Sequence, residues 1–235
     1  MSLLSSTFRS ASKSDAIWEK FLPSDCHNLI PTSLCFDSKK DIYIYLSHNT
    51  ILIDDGQKSF VLEKAYGKKC YMLSARSLFI VYGDNPGHWR WTSLPESRFL
   101  EVAELIRIWL FEIRGRIKTC LLSPKTLYEA YLVFKPSVGG AFNFKYQLAE
   151  VSIGIVGEGN TQKQNAYLDI PKGWRPHQPI SFKYPKERRD GWWEIKLGDF
   201  FNEGGEEKEV EMSVHDMSTR LKGGIILEGI EIRPS

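Results

Sequence analysis

Four side chains able to grip an uncharged polar ligand crowd one short stretch: Tyr82, His88, Trp89 and Trp91, around the turn residues Asn85-Pro86-Gly87. Trp89 and Trp91 stand two apart, so on an extended chain they point the same way. Trp91 reads as core, while a ring on a turn-rich loop is harder to bury completely. An exposed ring presents a flat apolar face to the C–H side of a pyranose, and carboxylates or amides beside it accept from the sugar hydroxyls. Carboxylates are supplied by Glu203, Glu206, Glu207, Glu209 and Glu211. Paired carboxylates also run glycoside hydrolysis, but that chemistry needs a buried acid ionising near neutral pH. This run reads instead as the solvated side chains of a hairpin, too open to raise a carboxyl pKa. The sequence contains no P-loop, no G-x-S-x-G elbow and no H-E-x-x-H. Gly154 to Gly159 is glycine-rich but ends a strand, as a hairpin loop does. Lys183, Lys186, Arg188 and Arg189 read as a solvated surface loop. The residues therefore favour binding over catalysis, with no cofactor implied.

Composition agrees. The 235 residues are 42% hydrophobic and 13% aromatic, enough for a core with rings to spare, and the formal charge is only +2. A field that weak gives no bulk attraction to nucleic acid or to an anionic membrane. Cys26, Cys35, Cys70 and Cys120 share no C-x-x-C spacing. They read as reduced, mostly buried thiols rather than a zinc site built on Cys26 and His27. The opening residues lack the apolar run of a signal peptide, no segment is long enough to span a bilayer, and no N-x-[ST] site occurs. The cytoplasm or nucleus is the expected location.

The elements that must position these residues change in character along the chain. Leu4, Phe8, Ala11, Asp15, Trp18 and Phe21/Leu22 recur at steps of three and four, the stripe of an amphipathic helix ended by Pro23. Such a fragment needs something to pack against, in this chain or another. Residues 26–67 read as a connector, with Lys40 to Leu46 fit for helix or strand and Asp54-Asp55-Gly56 a turn. From Lys68 onward, short β-rich runs alternate with Gly, Pro, Asn and Asp, as in an antiparallel β-sandwich. Alternation is clearest in Glu209-Val210-Glu211-Met212-Ser213-Val214-His215. Glu101 through Ile117 reads as one continuous strand run.

Ala75-Arg76-Ser77-Leu78 followed by Gly83-Asp84-Asn85-Pro86-Gly87-His88-Trp89-Arg90-Trp91 resembles the opening of the phloem protein 2, or Nictaba-type, lectin domain. Ala130 to Lys135, Arg189-Asp190-Gly191-Trp192, Glu194 to Gly198 and Gly229 to Pro234 continue the likeness in order across roughly residues 70–235. The resemblance implies an all-β, jelly-roll-like antiparallel sandwich over 68–235 that binds N-acetylglucosamine oligomers, N-glycan cores or glycoproteins. It places sugar contact at Tyr82, Trp89, Glu209 and Asp216. Tyr82 stands where the archetype has tryptophan and Asp216 where it has glutamate, which implies an altered or weakened glycan preference. Residues 1–25 are similar to the second half of an F-box. That similarity implies a remnant Skp-adaptor surface at Leu4, Phe8 and Trp18, and a role as substrate receptor of an SCF ubiquitin ligase, with the first F-box helices mostly missing. A sandwich that binds protein instead of sugar is the further alternative.

Overall fold

The computed structural model describes residues 14–23, 26–30, 34–144, 148–169, 183–216, 218 and 220–235. Three short helices come first: α1 (Asp15–Trp18), α2 (Cys26–Leu29) and α3 (Lys39–His48). The strands follow as β1 (Ile51–Ile53), β2 (Lys58–Leu62), β3 (Lys69–Ser74), β4 (Phe79–Ile80), β5 (Trp89–Thr92), β6 (Val102–Leu105) and β7 (Phe111–Lys118). Then come β8 (Thr126–Pro136), β9 (Leu148–Ile155), β10 (Gln162–Tyr167), β11 (Lys186–Glu187), β12 (Trp193–Asn202), β13 (Glu209–Asp216) and β14 (Ile225–Pro234). The larger sheet runs β1-β2-β3-β14-β8-β12-β11, with β6 joining β14 and β5 joining β6. The smaller runs β10-β9-β13-β7-β4, and every pairing between these strands is antiparallel. The expected all-β sandwich is what forms.

Alternation dictates which side chains fill the space between the sheets. On β13 Val210, Met212 and Val214 are buried while Glu209, Glu211, Ser213 and His215 face outward. On β7 Phe111, Ile113 and Ile117 turn inward, and they meet Leu132, Phe134, Ile195, Leu197, Ile230 and Ile232 of the larger sheet in one core. Each such side chain contributes about 1.5–3 kcal/mol by leaving water.

The stretch read as a connector does more than connect. Lys40 to Leu46 is helical because Ser38 caps it: its Oγ accepts from the Asp41 N–H at 3.2 Å and donates to the Asp41 carboxylate at 2.6 Å. Ile42, Tyr43 and Leu46 on one face of α3 enter the same core as Phe60 and Leu62. β1 and β2 extend the large sheet directly. Trp18 lies against Tyr43, with ring centroids 5.2 Å apart, and the Asp15 carboxylate accepts from the Lys39 N–H at 2.9 Å. The amphipathic stripe thus finds its partner within the chain, at least from Asp15 onward; Leu4 and Phe8 lie outside the described residues.

Three local expectations are corrected. Glu101 to Ile117 breaks into β6 and β7 around a loop at 106–110, because Ile108 instead bridges to Lys222. The glutamate-rich run links the two sheets, since β12 and β13 belong to different ones, and its acids pair with cations: Glu207 with Lys118, Glu209 and Glu211 with Arg116. Arg188 is not a solvated loop charge. It is mostly covered and ion-pairs with Glu231, Glu194 and Asp190. Burial alone would push the Glu231 carboxyl up, but Arg188, Arg98 and Arg233 outweigh it and hold it below the usual carboxylate range.

Candidate ligand-binding rim

The loop from β4 to β5 is a chain of tight turns. Gly83 N–H donates to the Ile80 carbonyl, Asn85 N–H to Tyr82 and His88 N–H to Asn85, all at 2.9 Å, and the Asn85 side chain accepts from Gly87 N–H at 2.9 Å. These turns force Tyr82 to φ +54°, the left-handed region. For a residue with a bulky side chain that conformation costs about 1–2 kcal/mol, and it persists because the surrounding hydrogen bonds over-determine it. The result is a phenol ring 56% exposed, tilted against His88 at 5.2 Å between ring centres. Tyr82, Gly83, Asp84, Asn85 and Pro86 line an open cleft over Ile80. The His88 Nδ1 lies 2.9 Å from the Arg107 carbonyl. A carbonyl only accepts, so Nδ1–H is the donor of this contact.

The four residues expected to contact sugar do not form one site. Tyr82 presents its ring to solvent. Trp89 does not: at 1% exposure it packs 6.3 Å from the Phe111 ring, and its Nε1–H donates to the Val81 carbonyl at 3.0 Å. Trp91, expected in the core, is only half-buried. Its Nε1–H donates to the Gly83 carbonyl at 3.0 Å, and the Arg76 guanidinium lies 3.6 Å over its ring. The two indoles do share a side, as their spacing requires. There they staple the loop from beneath instead of offering a face to a ligand.

The acids part company for a reason visible in their spacing. Seven is an odd step, so Glu209 and Asp216 project from opposite faces of β13. Glu209 faces outward beside Lys118, where Arg116 Nη1 lies 3.2 Å from its carboxylate. That is the far end of the strand, about 24 Å from Asp216 at the ordinary strand rise. Asp216, paired with Phe111 at the Tyr82 end, is 3% exposed. Its carboxylate accepts from Ser218 N–H at 2.8 Å and pairs with the Lys222 ammonium at 3.1 Å, Lys222 being wholly buried. The Lys222 Nζ also donates to the Trp109 carbonyl at 2.8 Å. So Asp216 clamps the rim from within.

Arg107 and Trp109 belong to the rim and did not stand out in the sequence. Both flank the buried Ile108 and face water. No local pattern marks them: their exposure follows from the backbone bridge that ties Ile108 to Lys222. Among the described residues, no group of three or more His, Cys, Asp or Glu is placed to hold a metal, and no helix is long and apolar enough to cross a membrane.

Two packed antiparallel sheets, with aromatic and polar side chains on the loops at one end, define an antiparallel β-sandwich. The family model described as Phloem protein 2 matches residues 68–234. The Arabidopsis thaliana F-box protein PP2-B10 is 47% identical over 236 residues, covering 99% of this chain and 85% of its own length. F-box protein At2g02240 from the same plant is 44% identical, with 99% and 72% covered, and F-box protein SKIP3 is 41% identical, with 99% and 80% covered. This chain belongs to the phloem protein 2 family. Among solved structures, the Podospora anserina GH26-CBM35 β-(1,4)-mannanase overlaps 71% of this chain and 28% of its own at 11% identity and a TM-score of 0.36, too distant to carry an argument.

Proposed function

We propose that the sandwich is a non-enzymatic carbohydrate-binding module for N-acetylglucosamine-containing or N-glycan structures, with its contact centred on Tyr82. The observation that carries this reading is the exposed Tyr82 ring, held out on a left-handed backbone beside His88 and Asp84. A polar saccharide needs an apolar face and several hydrogen-bonding groups together, and this rim offers both. The site is open and shallow, so a single contact binds weakly and useful strength comes from multivalent display.

An immobilised-glycan array with the wild type and Tyr82→Ala tests the reading. The wild type binds at least one N-acetylglucosamine-containing glycan, and Tyr82→Ala weakens that binding tenfold or more, about 1.4 kcal/mol. Its thermal midpoint stays near that of the wild type, because an exposed ring contributes little to packing. A wild type that binds no glycan ends the proposal.

A second reading is a substrate receptor of an SCF ubiquitin ligase, favoured by the F-box names of relatives that align with 99% of this chain. Trp18, one of the three residues assigned to the adaptor surface, is occupied by Tyr43 and Phe21. Affinity capture of a purified Skp-type adaptor by this chain is therefore expected to be weak or absent. Stoichiometric capture would overturn that expectation and give this reading precedence.

A further inference from the structure

We infer that Trp109, on the loop between β6 and β7, is a second stacking platform of the rim, so that the ligand is an oligosaccharide engaging Tyr82 and Trp109 through different sugar units. The inference rests on the saccharide reading above and concerns a residue that lies outside the four expected contacts.

Trp109 is 57% exposed and is the one tryptophan among the described residues left open to water. It cannot retract without dismantling its neighbour. Ile108 is fully buried and makes a two-way backbone bridge with Lys222, each N–H donating to the other's carbonyl at 2.8 Å. Trp109 follows directly, at a bend of the chain, and its side chain lies outside the core that Ile108 enters. The backbone of Trp109 is pinned as well, since its carbonyl takes the Lys222 ammonium, itself paired with Asp216. A large apolar ring is thus held in solvent by a fixed backbone, the pre-organisation that weak, shallow binding sites require.

The loop is also tied to the Tyr82 loop. His88, whose ring lies 5.2 Å from that of Tyr82, meets the Arg107 carbonyl at 2.9 Å, and the Ile106 N–H donates to the His88 carbonyl at 2.8 Å. Along the rim the order is therefore Tyr82, His88, Arg107, Trp109. Arg107 is exposed, with guanidinium donors that a ligand can reach. Tyr82 and Trp109 belong to two loops joined through His88 and Arg107, and the inferred ligand reaches from one ring to the other. A chain of sugar units can do so, with hydroxyl or acetamido oxygens over His88 and Arg107. The buried acid then has an explanation without touching sugar: Asp216 is a positioning residue that acts through Lys222 on the Trp109 backbone.

The test compares N-acetylglucosamine with its trimer by titration against the wild type, Trp109→Ala, Trp109→Phe and Tyr82→Ala. The wild type prefers the trimer. Trp109→Ala keeps the wild-type affinity for the monosaccharide but loses tenfold or more for the trimer, and Trp109→Phe recovers most of the loss. Tyr82→Ala weakens both ligands. In the wild type, saturating trimer shields tryptophan fluorescence from acrylamide, and this shielding disappears in Trp109→Phe. Unchanged trimer affinity in Trp109→Ala, or an equal loss for both ligands, overturns the inference while leaving the Tyr82 reading intact. If the wild type binds neither sugar and no glycan on the array, the inference falls together with that reading.

Discussion

A Trp89→Ala variant is expected to lose about 3–5 kcal/mol of folding stability, the cost of emptying a large aromatic site in a packed core. The loss has two parts. The indole leaves its place beside Phe111, and the Val81 carbonyl forfeits the Nε1–H that approaches it at 3.0 Å. Trp89→Phe separates them: the ring volume largely stays, and the hydrogen bond alone costs about 1–3 kcal/mol. Urea midpoints of the two variants measure this. Below its melting range Trp89→Phe should still bind whatever glycan the wild type binds, because the residue supports the Tyr82 loop from inside. A Trp89→Ala protein with wild-type stability and no glycan binding would return Trp89 to the ligand surface and refute its placement in the core.

Lys222→Met is expected to be comparably damaging. It leaves the Asp216 carboxylate at 3% exposure without its cation, and breaking a buried pair by removing one partner costs about 3–5 kcal/mol. The double variant Asp216→Asn/Lys222→Met should regain much of that stability, since no charge is stranded, and the difference between single and double variants measures the coupling. Trimer affinity should remain low in the double variant, because the Trp109 carbonyl has still lost its donor. A Lys222→Met protein within about 1 kcal/mol of wild type would mean the pair is solvated and pins nothing.

Much of the sandwich was legible because strand alternation is local. The pattern Val210, Met212, Val214 reads directly into the buried face of β13. The same parity, carried two residues further, puts Asp216 on the buried face and Glu209 on the open one, so the separation of the two acids was written in their spacing. What alternation does not reveal is depth. Trp89 and Trp91 project to the same side, and which of them sinks depends on the pairing of β5 with Leu105 and its neighbours and on the turns that fold Val81 over the first indole. The helix at Lys39–His48 was ambiguous by composition and is decided by the Ser38–Asp41 cap. The rim at Arg107 and Trp109 was hidden because it depends on a bridge to Lys222, more than a hundred residues away.

Recombination or engineering that respects only the matched span at 68–234 would cut between two partnered strands. Lys58–Leu62 hydrogen-bonds along Lys69–Leu73, and Phe60 packs its ring 5.2 Å from Tyr71. Severed there, β3 would expose a bare ladder of N–H and C=O groups, a template for joining one copy to another. The stretch that has to stay whole therefore starts upstream, near the cap at Ser38, and α3 goes with the strands it covers.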